Sequence, residues 1–205
     1  NIESLIENCD LVLDGTDNFQ VRYLVNDACV KHKKTWIYGA AVSSYGTTMT
    51  IIPNETPCLR CIFEEIPDAG SAPTCDTAGV IMPIISTISA VQVTEALKIL
   101  TRNFDKLHKS LVQIDVWQND WRKIKLSAPN KDCVCCGEQK FEFLEAENRE
   151  FFTTLCGRDA VQISAPKPTK IDLPSLADKL TIRTQIEDRT SAKQADELGD
   201  YRLAL

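Results

Sequence analysis

Residues 10–33 read DLVLDGTDNFQVRYLVNDACVKHK. The first five, DLVLD, are a short apolar run closing on Asp-Gly, the pattern of a buried parallel strand that enters a turn. Val21, Leu24, Val25 and Ala28 then recur at helical spacing over residues 18–33, and Thr16, Asp17 or Asn18 can cap that helix. Residues 35–42, TWIYGAAV, form the next strand. The alternating GTTMTIIP of 46–53 reads as another, paired with it as a hairpin around Ser43 to Tyr45. Strand, helix, strand, followed by antiparallel strands, predicts an α/β fold with a mixed sheet.

The rest of the chain extends that frame. Residues 54–78 hold Pro57, Pro67, Gly70 and Pro73, so a long irregular segment is expected, and such segments are usually functional or held by something. Residues 79–101 read as a helix, and 110–117 with 120–127 as an antiparallel pair. After about residue 140 the texture changes. Residues 156–164 suit a strand, 167–180 an extended linker entering a short helix capped by Asp172 or Ser175, and the tail is polar with weak periodicity. The expected organisation is a main domain over 1–140 and a small C-terminal appendage over 141–205.

Composition narrows the function classes. The 205 residues are 43% apolar and 25% charged, enough for a real core. A formal charge of −6 argues against an electrostatic nucleic-acid binder or a protein of anionic membranes. The most apolar stretch, VIMPIISTISAVQVTEALKIL, is interrupted by Gln92, Glu95 and Lys98 and reads as a buried helix, not a membrane span. The opening NIESLIENCDLVLDG shows no signal-peptide pattern, and nine cysteines are an odd number for disulfides, so the expected compartment is the reducing cytoplasm.

Two patterns carry chemistry. In DGTDNFQVR a carboxylate and an amide sit just past a strand's C-terminal end, the edge of an open α/β sheet where ligands bind. Asp17 can hold a magnesium ion, Asn18 can hydrogen-bond a ribose or phosphate oxygen, and Arg22, one turn into the helix, can reach the same crevice. Equally, Asp17 and Asn18 can be plain caps and Arg22 a solvated side chain. The second pattern is PCLRC at 57–61 and DCVCCG at 132–137: two Cys-x-x-Cys pairs that offer four soft ligands to a tetrahedral zinc ion. The long gap between Cys61 and Cys133 would make such a site a staple between distant loops. Cys135 can replace a neighbour, but Cys133 with Cys136 keeps the two-residue spacing; buried thiols and a redox dithiol are the alternatives. Cys75, before the helix of 79–101, has the placement of a thiol activated by a helix start or of a spare thiol in a loop. Cys9, Cys29, Cys135 and Cys156 read as buried apolar thiols, and His32 and His108, among lysines, as surface residues.

DLVLDGTDNFQVRYLVNDACV, YGAAVSSYGTTMTIIP, PCLRCIF, PTCDTAGVIMPIISTISAVQVTEALKIL and DCVCCG follow one another in the order of the ThiF/MoeB family, which the chain resembles over roughly residues 1–163. The resemblance implies a Rossmann-like α/β domain with a cysteine-bound zinc, usually a homodimer. It further implies that ATP and Mg2+ activate the C-terminal Gly-Gly of a ubiquitin-like sulfur-carrier protein as an acyl-adenylate, in thiamine, molybdopterin or another sulfur pathway. Carried over by motif, Asp17 resembles the magnesium-linked carboxylate and Asn18 its nucleotide-side neighbour. Cys58, Cys61, Cys133 and Cys136 resemble the zinc ligands. Cys75 matches the cysteine that in ThiF-type members links covalently to the carrier, with sulfur delivered by a cysteine desulfurase. The family's glycine-rich nucleotide loop and its Arg and Lys phosphate contacts precede the DGTDN strand. This sequence has eight Gly and no G-x-G-x-x-G, so it resembles a fragment expected to use ATP poorly by itself. The alternative expectation is a zinc-stapled scaffold or pseudo-enzyme subunit that binds a ubiquitin-like protein.

Overall fold

Val12 and Leu13 form β1 (Val12–Leu13), which lies parallel to β2 (Trp36–Val42) in the register Val12↔Trp36 and Leu13↔Ile37. The computed structural model describes residues 2–66 and 75–145, and the backbone of 152–155, 160–164 and 200–204. A short helix, α1 (Ile2–Glu7), precedes β1, and α2 (Phe19–Lys31) makes the crossover that parallel strands require. β1 is shorter than the apolar run 10–14 suggests. Val12 N donates to Thr35 O and Asp14 N to Ile37 O, so pairing ends where the Asp14 side chain begins to organise a turn.

From β2 onward the sheet is antiparallel. β3 (Tyr45–Ile51), β4 (Ser110–Asp115) and β5 (Asp120–Lys125) follow, and the order across the sheet is β1-β2-β3-β4-β5. The expected hairpin over 35–53 and the antiparallel pair over 110–127 are both present. Within the long irregular segment the structure adds two single turns, α3 (Leu59–Ile62) and α4 (Cys75–Ala78). Residues 67–74, with Pro67, Gly70 and Pro73, lie outside the described residues.

Each face of the sheet takes one long helix. On one side Tyr23, Ala28 and Cys29 of α2 pack with Trp36, Tyr38, Met49, Ile51 and Leu111 in the larger core. On the other, Ile84 and Ile88 of α5 (Met82–Leu100) meet Val112 and Ile114. Glycines let α5 come close: a Cβ on Gly39 would lie 2.5 Å from the Gln92 amide, and one on Gly46 2.6 Å from Ile88. Gln92 Nε2 donates to Asp14 O at 2.9 Å and Ile37 O at 3.1 Å, fastening α5 across β1 and β2. α5 is long and apolar enough, by length and composition, to cross a membrane. The sequence reads as a buried helix there, but only one face is covered; Met82, Val93, Leu97 and Leu100 are exposed.

The chain divides into two compact units, Asn1–Ala146 and Glu147–Leu205. The first closes with α6 (Glu142–Glu145), packed on α2. In the second, β6 (Phe152–Leu155), β7 (Ala160–Ser164) and β8 (Asp200–Ala204) form an antiparallel sheet in that order. β7 covers the end of the strand expected over 156–164. Cys156 and the expected linker and helix over 167–180 lie outside the described residues.

Candidate functional site

The loop from Asp14 to Asn18 is built around a buried carboxylate. Asp14 Oδ1 accepts from Thr16 N and Thr16 Oγ1, both at 2.8 Å, and Oδ2 faces Gly39 N at 3.5 Å. Arg22 Nε stands 3.4 Å from Asp14 Oδ2, and its Nη2 donates to Thr16 O. Its guanidinium also lies 5.6 Å from the Phe19 ring and 5.9 Å from the Tyr38 ring. Both side chains of this ion pair are nearly inaccessible, so Arg22 braces the loop from within instead of lying solvated on the helix. Asn18 is the N-cap of α2: its Oδ1 accepts from Val21 N at 3.1 Å. Asp17, between this cap and the Thr16 turn, is exposed. The structure therefore leaves Asp17 as the open carboxylate and commits Asp14 to the fold. Asp14-Gly-Thr is an Asx-turn signal that points to such a buried role.

Cys75 opens α4, half-buried, with its thiol 3.5 Å from Ala41 O near the end of β2. Because β1 and β2 are parallel, the loop after β1 and the end of β2 lie at the same edge of the sheet. The topology thus brings the Asp17 loop and Cys75 to one edge, the edge at which open α/β sheets bind ligands.

The cysteine pairs come from the other edge, where β3 and β5 end. Cys58 N-caps α3, whose single turn brings Cys61 round beside it, and Cys61 N donates to Cys58 O at 3.1 Å. After β5, the carbonyl of Cys133 accepts from Gly137 N and Glu138 N, both at 2.9 Å. A side chain at position 137 would meet Lys131 O at 2.1 Å, so this knuckle needs glycine. Sγ of Cys58 lies 3.8 Å from that of Cys61 and 3.6 Å from that of Cys133, and Cys61 and Cys136 are 3.3 Å apart. All four sulfurs lie within 4.8 Å of one another. A tetrahedral zinc with bonds of about 2.3 Å sets its sulfurs about 3.8 Å apart, so the donor set fits. Its charge fits too. The four sulfurs stand too close for all of them to ionise without a counter-charge. A divalent cation is what would let four thiols ionise together.

Cys135 is fully buried and turned toward α2, where Asn26 Nδ2 donates to its Sγ at 3.2 Å. It is not the apolar thiol the sequence suggests. Cys29 is fully buried, and burial pushes its thiol up to about 12. Cys9 is half-buried and donates to Ile6 O. Asp27, next to Asn26, is also inside; burial raises its carboxyl, and Phe143 N donates to Oδ2 at 2.9 Å. Two polar residues within the apolar helix run YLVNDACV were the available signal for this cluster.

A groove of about 560 Å³ lies elsewhere, between α5 and β4–β5, with Val91, Val112 and Trp121 on its walls. At its head Glu95, in ion pair with Lys98, accepts from His108 N at 3.2 Å, and His108 Nε2 stands 3.6 Å from Glu95 Oε2. His108 is thus a largely covered side chain on the groove wall, contrary to its reading as a surface residue. His32 is the half-exposed one, 2.9 Å from Glu3.

The model of the ThiF family matches residues 1–135. The sulfur carrier protein ThiS adenylyltransferase of Bacillus subtilis is 40% identical over 181 residues, which are 88% of this chain and 53% of that protein. The SAMP-activating enzyme E1 of Haloferax volcanii is 33% identical over 71% of this chain and 53% of its own length. The adenylyltransferase and sulfurtransferase MOCS3 of Culex quinquefasciatus is 31% identical over 98% of this chain and 44% of its own. The chain spans about half the length of these relatives. Among solved structures, E. coli MccB with AMPCPP and MccA superposes with a TM-score of 0.53 at 15% identity, over 66% of this chain and 43% of that one, a likeness of fold.

Proposed function

The chain belongs to the ThiF family, and from that membership we propose that it serves an adenylyltransferase that activates the C-terminal glycine of a ubiquitin-like sulfur-carrier protein with ATP. The observation that carries the reading is the meeting, at one sheet edge, of the Asp14–Asn18 loop and Cys75, in a chain whose relatives bear the name adenylyltransferase. In the reaction the carrier's terminal carboxylate attacks the α-phosphorus of ATP, and pyrophosphate leaves. Asp17 is the carboxylate open to a magnesium ion, which would neutralise charge on that leaving group. Asn18 and Arg22 hold the loop in which Asp17 stands, Asn18 by capping α2 and Arg22 through Asp14 and Thr16 O.

Cys75 supports the next step. Its thiolate adds to the carbonyl of the acyl-adenylate, the bond from that carbon to the phosphate oxygen breaks, and AMP leaves with the carrier joined as a thioester. A cysteine desulfurase would then bring sulfur. Zinc held by Cys58, Cys61, Cys133 and Cys136 is structural here: four protein ligands leave no open position, and the cluster's loops leave the sheet edge opposite Cys75. A homodimer is the expected assembly.

The alternative reading is a zinc-stapled scaffold that binds the carrier without turning over ATP. ATP–pyrophosphate exchange separates the two. The chain alone should exchange little. Joined to an upstream glycine-rich nucleotide segment of a relative, it should exchange in a carrier-dependent way. No exchange by the joined protein, with the carrier still bound, would leave the scaffold reading standing.

A further inference from the structure

Asn26 lies wholly inside α2, and a buried carboxamide is costly unless both of its ends find partners. Its ends reach two different loops. Oδ1 accepts from Leu59 N at 2.8 Å, the residue after Cys58 and 33 positions along the chain. Nδ2 donates to Cys135 Sγ at 3.2 Å, 109 positions along and between Cys133 and Cys136. The orientation is set by chemistry: a backbone N–H needs the oxygen, so the NH2 must face sulfur. One side chain of a core helix therefore ties to both cysteine loops. It also occupies the third thiol of Cys133-Val-Cys135-Cys136, which otherwise stands beside its neighbours as a competing ligand.

We infer that Asn26 is a positioning residue of the metal centre, fastening both cysteine loops to α2 and withholding Cys135, so that Cys58, Cys61, Cys133 and Cys136 meet the ion already assembled. The inference rests on the zinc reading above. Residues behind the ligands commonly change metal affinity by about 10–100-fold when removed, so a tie across both loops should show in metal release.

The test uses the full chain loaded with zinc, with release to excess EDTA followed by a chromogenic chelator. Asn26→Ala should release zinc about tenfold faster or more. Cys135→Ala, which cuts the tie at its sulfur end, should also release faster, though less, because Asn26 still holds Leu59. Loaded with cobalt, Asn26→Ala should show shifted and broadened visible bands as Cys135 enters the ligand set, and Asn26→Ala/Cys135→Ala should restore a single four-thiolate spectrum. A merely structural Asn26 would lower the melting temperature and leave the cobalt bands unmoved. Wild-type release rates and bands in both single variants overturn the inference. If Asn26→Ala fails to fold, Cys135→Ala decides: release at the wild-type rate overturns it. A wild-type chain without zinc refutes the zinc reading and this one together; zinc present with unchanged variants refutes this one alone.

Discussion

Asp14 and Asp17 are three positions apart and have opposite fates. Asp14→Asn should keep the Thr16 contacts but strip Arg22 of its counter-charge, and leaving a buried charge unpaired costs about 3–5 kcal/mol. Urea unfolding should show that loss. Asp17→Ala, at an exposed position, should shift the urea midpoint by little, yet abolish carrier-dependent exchange in the joined protein. Exchange that survives would reduce Asp17 to a bystander. His108 predicts a pH dependence. Burial, aided by the charges of Lys98 and Lys123 and opposed by that of Glu95, lowers its pKa below the ordinary 6.5. The unfolded chain therefore takes up a proton first. Stability should be flat above pH 6.5 and fall as the pH drops from 6.5 toward the folded value. In His108→Gln that fall should shrink, as read by urea midpoints at pH 7.5, 6.5 and 5.5. The cysteine spacing was legible because two residues of separation map directly onto one knuckle. Asp14, Asn26 and His108 were not, because their roles depend on partners from Gly39, Leu59, Cys135 and Glu95, distant in sequence and adjacent only after folding.

At the scale of elements, periodicity located the two long helices and the strands of the five-stranded sheet, while the short helices Ile2–Glu7, Leu59–Ile62, Cys75–Ala78 and Glu142–Glu145 carried no such signal. The helix read over 18–33 is Phe19–Lys31, and that over 79–101 is Met82–Leu100. Each strand of the antiparallel part falls within two residues or so of its expected span. β1 was overestimated because an apolar run reports burial, whereas strand length is settled by a neighbour's hydrogen bonds. Gly39 and Gly46 show what the pattern could not: two strand positions that must be bare for α5 to lie close. Gly39→Ala should push away the Gln92 amide, which removes its donor from Asp14 O and leaves Ile37 O with Asp14 N alone. A loss of about 1–3 kcal/mol is expected, as for other overpacked cores. Gly46→Ala meets Ile88 Cγ1 at 2.6 Å and Ile84 Cγ1 at 3.0 Å, apolar side chains with no hydrogen bond to lose, and should cost less. Chemical denaturation of the two variants side by side tests the order, which fails if Gly46→Ala is the more damaging.

For the molecule as a whole, the four thiols join segments that enclose β4, β5, α5 and the Cys75 turn. Removing zinc should release that closure. Cys58→Ser, or prolonged chelation, should lower the melting temperature by many degrees, since structural zinc is worth on the order of 10 kcal/mol in small sites. A zinc content well below one equivalent with undiminished melting would sink the assignment. The sheet order carries a kinetic consequence as well. Strands β2 with β3, and β4 with β5, are neighbours in both chain and sheet, so each hairpin can form within microseconds. Joining β3 to β4 instead requires the chain from Ile51 to Ser110 to close on itself, an entropic delay that grows with loop length. Metal capture by Cys58, Cys61, Cys133 and Cys136 bridges that same gap. Zinc present during refolding should therefore act as a nucleator that accelerates the slow docking of the two hairpins, beyond its role in holding the finished fold.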